Sequence, residues 1–370
     1  MAFVTMRPWG RAYPRIARWL AAGLREVGAS ADIVYMDGPP SARRSGSVQE
    51  IQLGISKARW GLPKLARYLG QRQPTLTLAT PGSIGLLTLM AGRATGRTVV
   101  PWEATVPRLD ARDVPRLLHA YSAISARMYG RARRVAAVSH GVRDALVLEL
   151  SSRGLRKEDL VVVPNPIDAD EIRRLSHPVA SRNGRLRFCS VGRLVSAKGF
   201  DLLVEAVALA DLGPGWELII VGDGPRRDSL EALVRRHHLQ DHVQFTGWVE
   251  NPWPIMASAD VAVAASRWEG FGMAVAEALA LGRPHIACDC PGGLGEMLGH
   301  GEYGVVVPPD DPLRLADALV LLAEDVSLRR ELGQKALARA THFTPVRVAE
   351  QIVHLAEEVG AEVAARSRWN

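Results

Sequence analysis

Residues 187–201 read Arg187-Phe188-Cys189-Ser190-Val191-Gly192-Arg193-Leu194-Val195-Ser196-Ala197-Lys198-Gly199-Phe200-Asp201. An apolar run ends on Val191, one glycine opens a short loop, a second closes it, and a helical pattern starts at Phe200. Strand, glycine-bounded loop and helix in that order open a parallel α/β unit. Five further strand-length runs follow at Glu217–Val221, Val243–Thr246, Asp260–Ala265, His285–Cys288 and Gly304–Val307, and the chain is helical by pattern from Pro312 onward. Upstream the same alternation gives strands at Ala2–Met6, Asp32–Tyr35, Thr75–Ala79, Thr98–Pro101, Val135–Val138 and Leu160–Val163. Helical patterns at Pro14–Val27 and Ser139–Leu150 lie between them, the second opening on a serine suited to N-capping. The expected organisation is α/β with two doubly wound, Rossmann-like domains, 1–168 and 185–345, joined by a linker at 169–184 in a stretch rich in turn-forming steps, with a last helical segment at 346–370. Ligands of open α/β sheets bind where loops and helix N-termini converge at the carboxyl ends of the strands, so the chemistry belongs in those loops.

The 370 residues suffice for two domains, and 47% hydrophobic with 23% charged residues is an ordinary globular composition. Three cysteines, Cys189, Cys288 and Cys290, form no CxxC pair, and the N-terminus has no secretory apolar core, so they read as reduced thiols in a cytoplasmic protein. No apolar run reaches the roughly 18–20 residues that span a bilayer. Charge is uneven: residues 1–170 carry 25 Lys+Arg against 13 Asp+Glu, a net +12, while the remainder nets −5. Such a split suits an anionic surface as partner; an arginine-rich solvated face explains it equally well.

Two loops carry candidate chemistry. The first sets Arg193 and Lys198 five positions apart between a strand and a helix, a forked donor and a point charge suited to a diphosphate. Two solvated charges on a surface loop fit it too. The second, Ser266-Arg267-Trp268-Glu269-Gly270-Phe271-Gly272-Met273, follows an apolar strand and runs into an alanine-rich helix carrying Glu277. Carboxylates at Glu269 and Glu277 can accept hydrogen bonds from sugar hydroxyls, while the glycines let backbone N–H groups approach phosphate and sugar oxygens. A carboxylate near a helix N-terminus is also favoured by the dipole alone.

The strings VGRLVSAKGFD, LIIVGDGP, VQFTGWV, SRWEGFGMAVAEALALGRPHIACD, PGG and GVVVPPDDP occur in this order between Phe188 and Leu315. Together they resemble the donor domain of glycosyltransferase family 4, retaining enzymes of the GT-B fold. AVSHGV at 137–142 and VPNPID at 163–168 resemble the end of that family's acceptor domain. The resemblance implies an acceptor-side domain at 1–168, a sugar-nucleotide domain at 185–345, and a C-terminal helix returning to the first domain. It implies that Arg193 and Lys198 hold the donor diphosphate, that Glu277 bonds the ribose hydroxyls, and that Glu269 faces the transferred sugar. The backbone from Gly270 through Phe271 and Gly272 to Met273 would line sugar and phosphates. Trp248 and Val249 fall in the base-contacting loop, although a buried tryptophan explains Trp248 equally well. Gly10 stands for the first domain's glycine loop, without the usual glycine pair, and Gly222-Asp223-Gly224-Pro225 reads as a tight turn.

One departure concerns the histidine that many relatives carry after the fourth strand of the acceptor domain. Here that segment reads Val100-Pro101-Trp102-Glu103-Ala104-Thr105, so Glu103 is the nearest group able to orient an acceptor hydroxyl; the alternative is that the loop does no chemistry. No DxD pair is suitably placed, since Asp168 and Asp170 sit in the linker and read as a turn or helix cap. The expectation is therefore metal-independent, retaining transfer of a hexose or N-acetylhexosamine, with no cofactor beyond the donor and a UDP-sugar favoured over a GDP-sugar. The acceptor would be a glycan, a lipid-linked species or a small molecule, and nucleic acid is not expected. Residues 55–70, with Lys57, Arg59, Lys64 and Arg67 beside Trp60, Leu65 and Tyr68, fit a basic helix on the inner face of an anionic membrane, or an ordinary helix with its apolar side in the core. A sugar-nucleotide epimerase and a non-catalytic sugar-nucleotide-binding protein remain alternatives. No G-x-G-x-x-G follows the first strand of either half, which speaks against an oxidoreductase.

Overall fold

The computed structural model describes residues 1–5, 12–55, 61–105, 128–129, 132–177 and 184–367. Gly10, Lys57, Arg59 and Trp60 lie outside these. The chain forms two compact units, Met1–Pro166 with Phe343–Asn370, and Ile167–His342.

The first unit contains β1 (Ala2–Thr5), α1 (Ala12–Glu26), β2 (Ala31–Tyr35), β3 (Ser41–Ser45), β4 (Val48–Gln52), α2 (Gly61–Arg72), β5 (Thr77–Ala79), α3 (Ser83–Thr95), β6 (Val99–Glu103), β7 (Val135–Ala137), α4 (His140–Leu150) and β8 (Leu160–Val162). The sheet order is β3-β4-β2-β1-β5-β6-β7-β8, parallel except for the antiparallel β3–β4 hairpin at its edge. Buried on both faces, its inner strands are predominantly apolar, as a parallel sheet requires, with Thr5, Asp32 and Thr77 as buried polar exceptions. Ser139 caps α4, its hydroxyl accepting from Val142 N at 3.2 Å. The C-terminal helix Pro345–Ser367 packs on α1, where a Cβ on Gly23 would lie 2.0 Å from Pro345 O.

Helix α2 contains Lys64 and Arg67. Its apolar side, Leu65, Tyr68 and Leu69, is buried in the core of this unit. Tyr68 Oη donates to the buried Asp32 at 2.7 Å, and Arg72 grips the same carboxylate with two bonds. Lys64 Nζ donates to Leu53 O and Gly54 O at 2.8 and 2.7 Å, so it closes the end of β4 and is not offered to a surface; Arg67 is exposed. Of the two readings of residues 55–70, the core-packed helix describes residues 61–70, the part of the segment that α2 contains.

The second unit contains α5 (Ala169–Arg174), β9 (Leu186–Val191), α6 (Phe200–Leu209), β10 (Trp216–Val221), α7 (Arg227–Arg236), β11 (Val243–Gly247), α8 (Trp253–Ala257), β12 (Val261–Ala264), α9 (Met273–Ala280), β13 (His285–Cys288), α10 (Leu294–Met297), β14 (Val305–Val307), α11 (Pro312–Glu324) and α12 (Val326–Ala340). Helix α5 occupies part of the stretch expected as linker. Asp168 starts it by accepting from Glu171 N at 2.8 Å, so the first aspartate of the Asp168/Asp170 pair is a helix cap. The sheet order β11-β10-β9-β12-β13-β14 is wholly parallel and reverses direction between β9 and β12. Phe188, Leu218, Ile220, Val261 and Ile286 from the strands join Leu203 of α6 and Leu315, Leu319 and Leu322 of α11 in one core, all fully buried. All three cysteines are buried and free, and burial raises each thiol, Cys189 and Cys288 to about 12.

Candidate active site

In open parallel sheets the loops at the reversal of strand order diverge and leave room for a ligand. Here these are the loops after β9 and β12, the two singled out by their sequence. Their approach depends on glycine. Gly199, at φ +60°, would place a Cβ 1.9 Å from Ala265 O, and Gly222, at φ +139°, would place one 1.9 Å from Gly192 O. The latter serves the turn after β10, whose Asp223 O accepts from Leu194 N at 3.0 Å, so Gly222–Pro225 braces the loop of Arg193.

Within this frame Lys198 Nζ and a carboxylate oxygen of Glu269 form an ion pair, both groups largely but not wholly covered. Arg193 is exposed, and its guanidinium makes no hydrogen bond or ion pair among the described residues. Glu269 is held through its backbone: its N–H donates to Pro291 O at 3.2 Å and its carbonyl accepts from Gly293 N at 2.8 Å. The loop after β13 thus zips onto the loop after β12, with Gly292 at φ +122° where any Cβ would strike Glu269 O. Gly272, left-handed at φ +85°, begins α9 and brings no side chain to cap it. The first-turn N–H groups of α9, like those of α6 behind Gly199, thereby suit an anionic ligand.

Glu277 lies five residues into α9 and is 2% exposed; its Oε2 accepts from Trp253 Nε1 at 3.1 Å. Trp248, past the end of β11, is 67% exposed, so the buried-tryptophan explanation fails for it; Val249 is half-buried. In the first unit, Glu103 belongs to β6, the strand running two residues past Pro101. It is 4% exposed and accepts a hydrogen bond from Tyr129 Oη, while Trp102 Nε1 donates to Val163 O at 2.8 Å.

The second unit therefore gathers Arg193, Lys198, Glu269, Gly270–Met273 and Glu277 around the β9/β12 reversal. Three residues that sequence reading passed over support them. Arg267 donates to both oxygens of Asp201 at 2.8 and 3.1 Å, to Asp310 at 2.7 Å and to Ser196 O at 3.2 Å, lashing the loops after β9, β12 and β14 together. Burial raises Asp201, but the bonds to Arg267 and the charges of Arg267 and Arg226 outweigh it and hold the carboxyl below its usual value. The third is Trp253. Arg267 and Asp201 stand inside the quoted motifs, whereas Trp253 carries no motif. Among the described residues no group of three or more His, Cys, Asp or Glu is gathered as metal ligands would be.

Two family models match this chain: Glycosyltransferase Family 4 over residues 15–171 and Glycosyl transferases group 1 over residues 172–339. Among characterised relatives, N-acetylgalactosamine-N,N'-diacetylbacillosaminyl-diphospho-undecaprenol 4-alpha-N-acetylgalactosaminyltransferase of Campylobacter jejuni is 29% identical over 289 residues, covering 77% of this chain and 76% of that protein. Alpha-D-kanosaminyltransferase of Streptomyces kanamyceticus is 32% identical over 46% of this chain. An exopolysaccharide phosphotransferase of Streptomyces coelicolor is 36% identical over 47% of this chain. The matched regions span 45% and 18% of the lengths of these last two. Among solved structures, sucrose-phosphate synthase from Thermosynechococcus elongatus superposes with a TM-score of 0.80 at 21% identity, covering 98% of this chain and 99% of that one. Anabaena HepE in complex with UDP-glucose gives 0.75 at 20% identity, covering 96% and 99%. Both likenesses are of fold.

Proposed function

Because this chain belongs to glycosyltransferase family 4 and folds as two Rossmann-like domains of the GT-B type, we propose that it transfers a hexose or N-acetylhexosamine from a nucleotide diphosphate sugar to an acceptor hydroxyl, with retention and without a metal. The observation that carries this reading is the Lys198–Glu269 pair at the β9/β12 reversal, with Arg193 exposed on the same loop as Lys198. On donor binding the diphosphate replaces Glu269 as the partner of Lys198, and Arg193 adds a forked donor. Glu269, released, accepts from hydroxyls of the sugar, and Glu277 accepts from the ribose. As the bond from the anomeric carbon to the β-phosphate oxygen breaks, charge collects on the leaving phosphate, where the two cations and the N-terminus of α9 stabilise it. The acceptor oxygen bonds to the anomeric carbon from the same face, and its proton passes to the departing phosphate oxygen. Glu103, in the first unit, is the candidate to orient that hydroxyl.

The nucleotide is proposed as UDP, since structures of similar fold were solved with UDP and UDP-glucose. A lipid-linked acceptor is favoured by the name of the Campylobacter relative, whose acceptor is a diphospho-undecaprenol species. The basic balance of residues 1–170 agrees with work at an anionic membrane surface. The test is to incubate the protein with UDP-, GDP- and ADP-sugars, with and without undecaprenyl-diphosphate-linked glycans. Acceptor-dependent release of free nucleoside diphosphate is expected. Conversion of the sugar nucleotide to its epimer without acceptor would establish the epimerase alternative instead, and no rise in Tm with any nucleotide would end the donor-site reading.

A further inference from the structure

Glu277 is almost wholly buried on α9, and a buried carboxylate must be held in one orientation by specific donors if it is to present an oxygen to a ligand. One such donor is the indole of Trp253, 3% exposed, whose Nε1 lies 3.1 Å from Glu277 Oε2. Trp253 opens the five-residue α8, in the connection between β11 and β12. Its own place is fixed from the other side: its backbone N–H donates to Asn251 Oδ1 at 3.1 Å, and Asn251 Nδ2 donates to Leu175 O at 2.9 Å. The exposed Trp248 stands three positions before Asn251 on the same connection. A continuous path of hydrogen bonds therefore runs from the connection after β11, through Trp253, to the carboxylate on α9.

We infer that Trp253 is a positioning residue for the donor nucleotide: it fixes the carboxylate of Glu277 in the orientation that meets the ribose hydroxyls, and it couples that orientation to the β11–β12 connection. The inference rests on the reading that Glu277 binds the ribose. A phenylalanine at 253 keeps the ring and loses the N–H. A merely structural role would disturb every ligand of this unit alike, whereas positioning acts only on ligands that carry ribose hydroxyls.

The experiment measures affinity for whichever of UDP, GDP and ADP binds tightest, and for its 2′,3′-dideoxy form, in the parent, Trp253→Phe, Glu277→Ala and the double variant. One hydrogen bond to a buried group corresponds to about a three- to tenfold effect. Trp253→Phe is expected to weaken the ribose-bearing nucleotide by that factor, to leave the dideoxy form unchanged, and to add nothing in the Glu277→Ala background. In turnover the loss falls on the donor KM with kcat held. If Trp253→Phe does not fold, β-(3-benzothienyl)alanine at position 253 has nearly the shape of the indole with sulfur in place of the N–H, and the same pattern is required of it. Equal loss for ribose and dideoxy forms, or no loss from Trp253→Phe while Glu277→Ala weakens binding, overturns the inference and leaves the ribose role of Glu277 standing. No loss from Glu277→Ala overturns the ribose role itself.

Discussion

Lys198 and Glu269 stand 71 positions apart in the chain and meet as an ion pair across the point where the second sheet reverses its strand order. Glycine permits both approaches: Gly199 lets the loop of Lys198 close on Ala265, and Gly292 lets the loop after β13 close on Glu269, each at a place where a Cβ would strike a carbonyl oxygen. In the proposed reaction this lysine exchanges one anionic partner for another, the carboxylate of Glu269 for the donor diphosphate.

The two members should therefore fail differently. Lys198→Ala removes a charge-assisted bond to the diphosphate, roughly 1.5–3 kcal/mol, and should weaken bare nucleoside diphosphate by about ten- to a hundredfold. Glu269→Ala should leave that affinity intact or tighten it, because Lys198 no longer has a competitor, while turnover collapses. Isothermal titration beside a turnover assay separates these outcomes. Loss of nucleotide affinity in Glu269→Ala as large as in Lys198→Ala would refute the exchange.

Metal dependence follows from the same charges. If Arg193, Lys198 and the N-terminus of α9 supply the countercharge, as proposed, chelation should leave nucleotide affinity and transfer unchanged. Titration with and without EDTA checks this, and a tenfold loss on chelation would count against it.

The second sheet was legible because each of its six strands is an apolar run ended by a loop with its own turn chemistry; all six appear, with ends shifted by a residue or so. The β3–β4 hairpin was not, since β3 is Ser-Ala-Arg-Arg-Ser, exposed at every position, and shows no alternation to read. Its one signal is Gly46, left-handed at φ +62° in the turn. Pro101 suggested a strand end because it cannot donate to the ladder, yet Trp102 and Glu103 go on to pair with Ala136 and Ala137. The motif loops pointed to Arg193, Lys198, Glu269 and Glu277 because each pair stands close together in sequence, in the two stretches that the fold places at the β9/β12 reversal. Trp253 meets Glu277 only through the fold, from 24 positions away, and no spacing announces it.

Acid stability should carry the signature of His285. This side chain is 1% exposed in β13, and burial holds its pKa down at about 4, outweighing the hydrogen bond to Arg283 O, which acts the other way. Between pH 6.5 and 4 the unfolded chain binds the proton and the folded one does not, so stability falls as pH falls through that window. The full shift corresponds to about 3 kcal/mol. Tm measured from pH 7 to 4 should decline, and His285→Asn, though less stable at pH 7, should decline less steeply. Parallel slopes for the two proteins would rule the histidine out.

The charge of the first half makes a last, more exacting prediction. Basic side chains near an anionic leaflet contribute about 1 kcal/mol each, fading over a Debye length of roughly 8 Å at physiological salt. The four cations of residues 55–70 are not equivalent, however. Lys64 is committed to Leu53 O and Gly54 O, and the apolar side of α2 is in the core, so lipid insertion by that side would require the helix to leave its seat. Binding should then be electrostatic. Phosphatidylglycerol vesicles should sediment the protein at low salt and release it as salt rises, and neutral vesicles should not sediment it. Neutralising Lys57, Arg59 and Arg67 together should lower the bound fraction at unchanged Tm. Lys64→Gln should do the reverse, lowering Tm through two orphaned carbonyls while vesicle binding of the folded protein persists. A triple variant that sediments like the parent would free these residues of any anchoring role, and a parent that ignores anionic vesicles would leave the +12 of residues 1–170 as a solvated face.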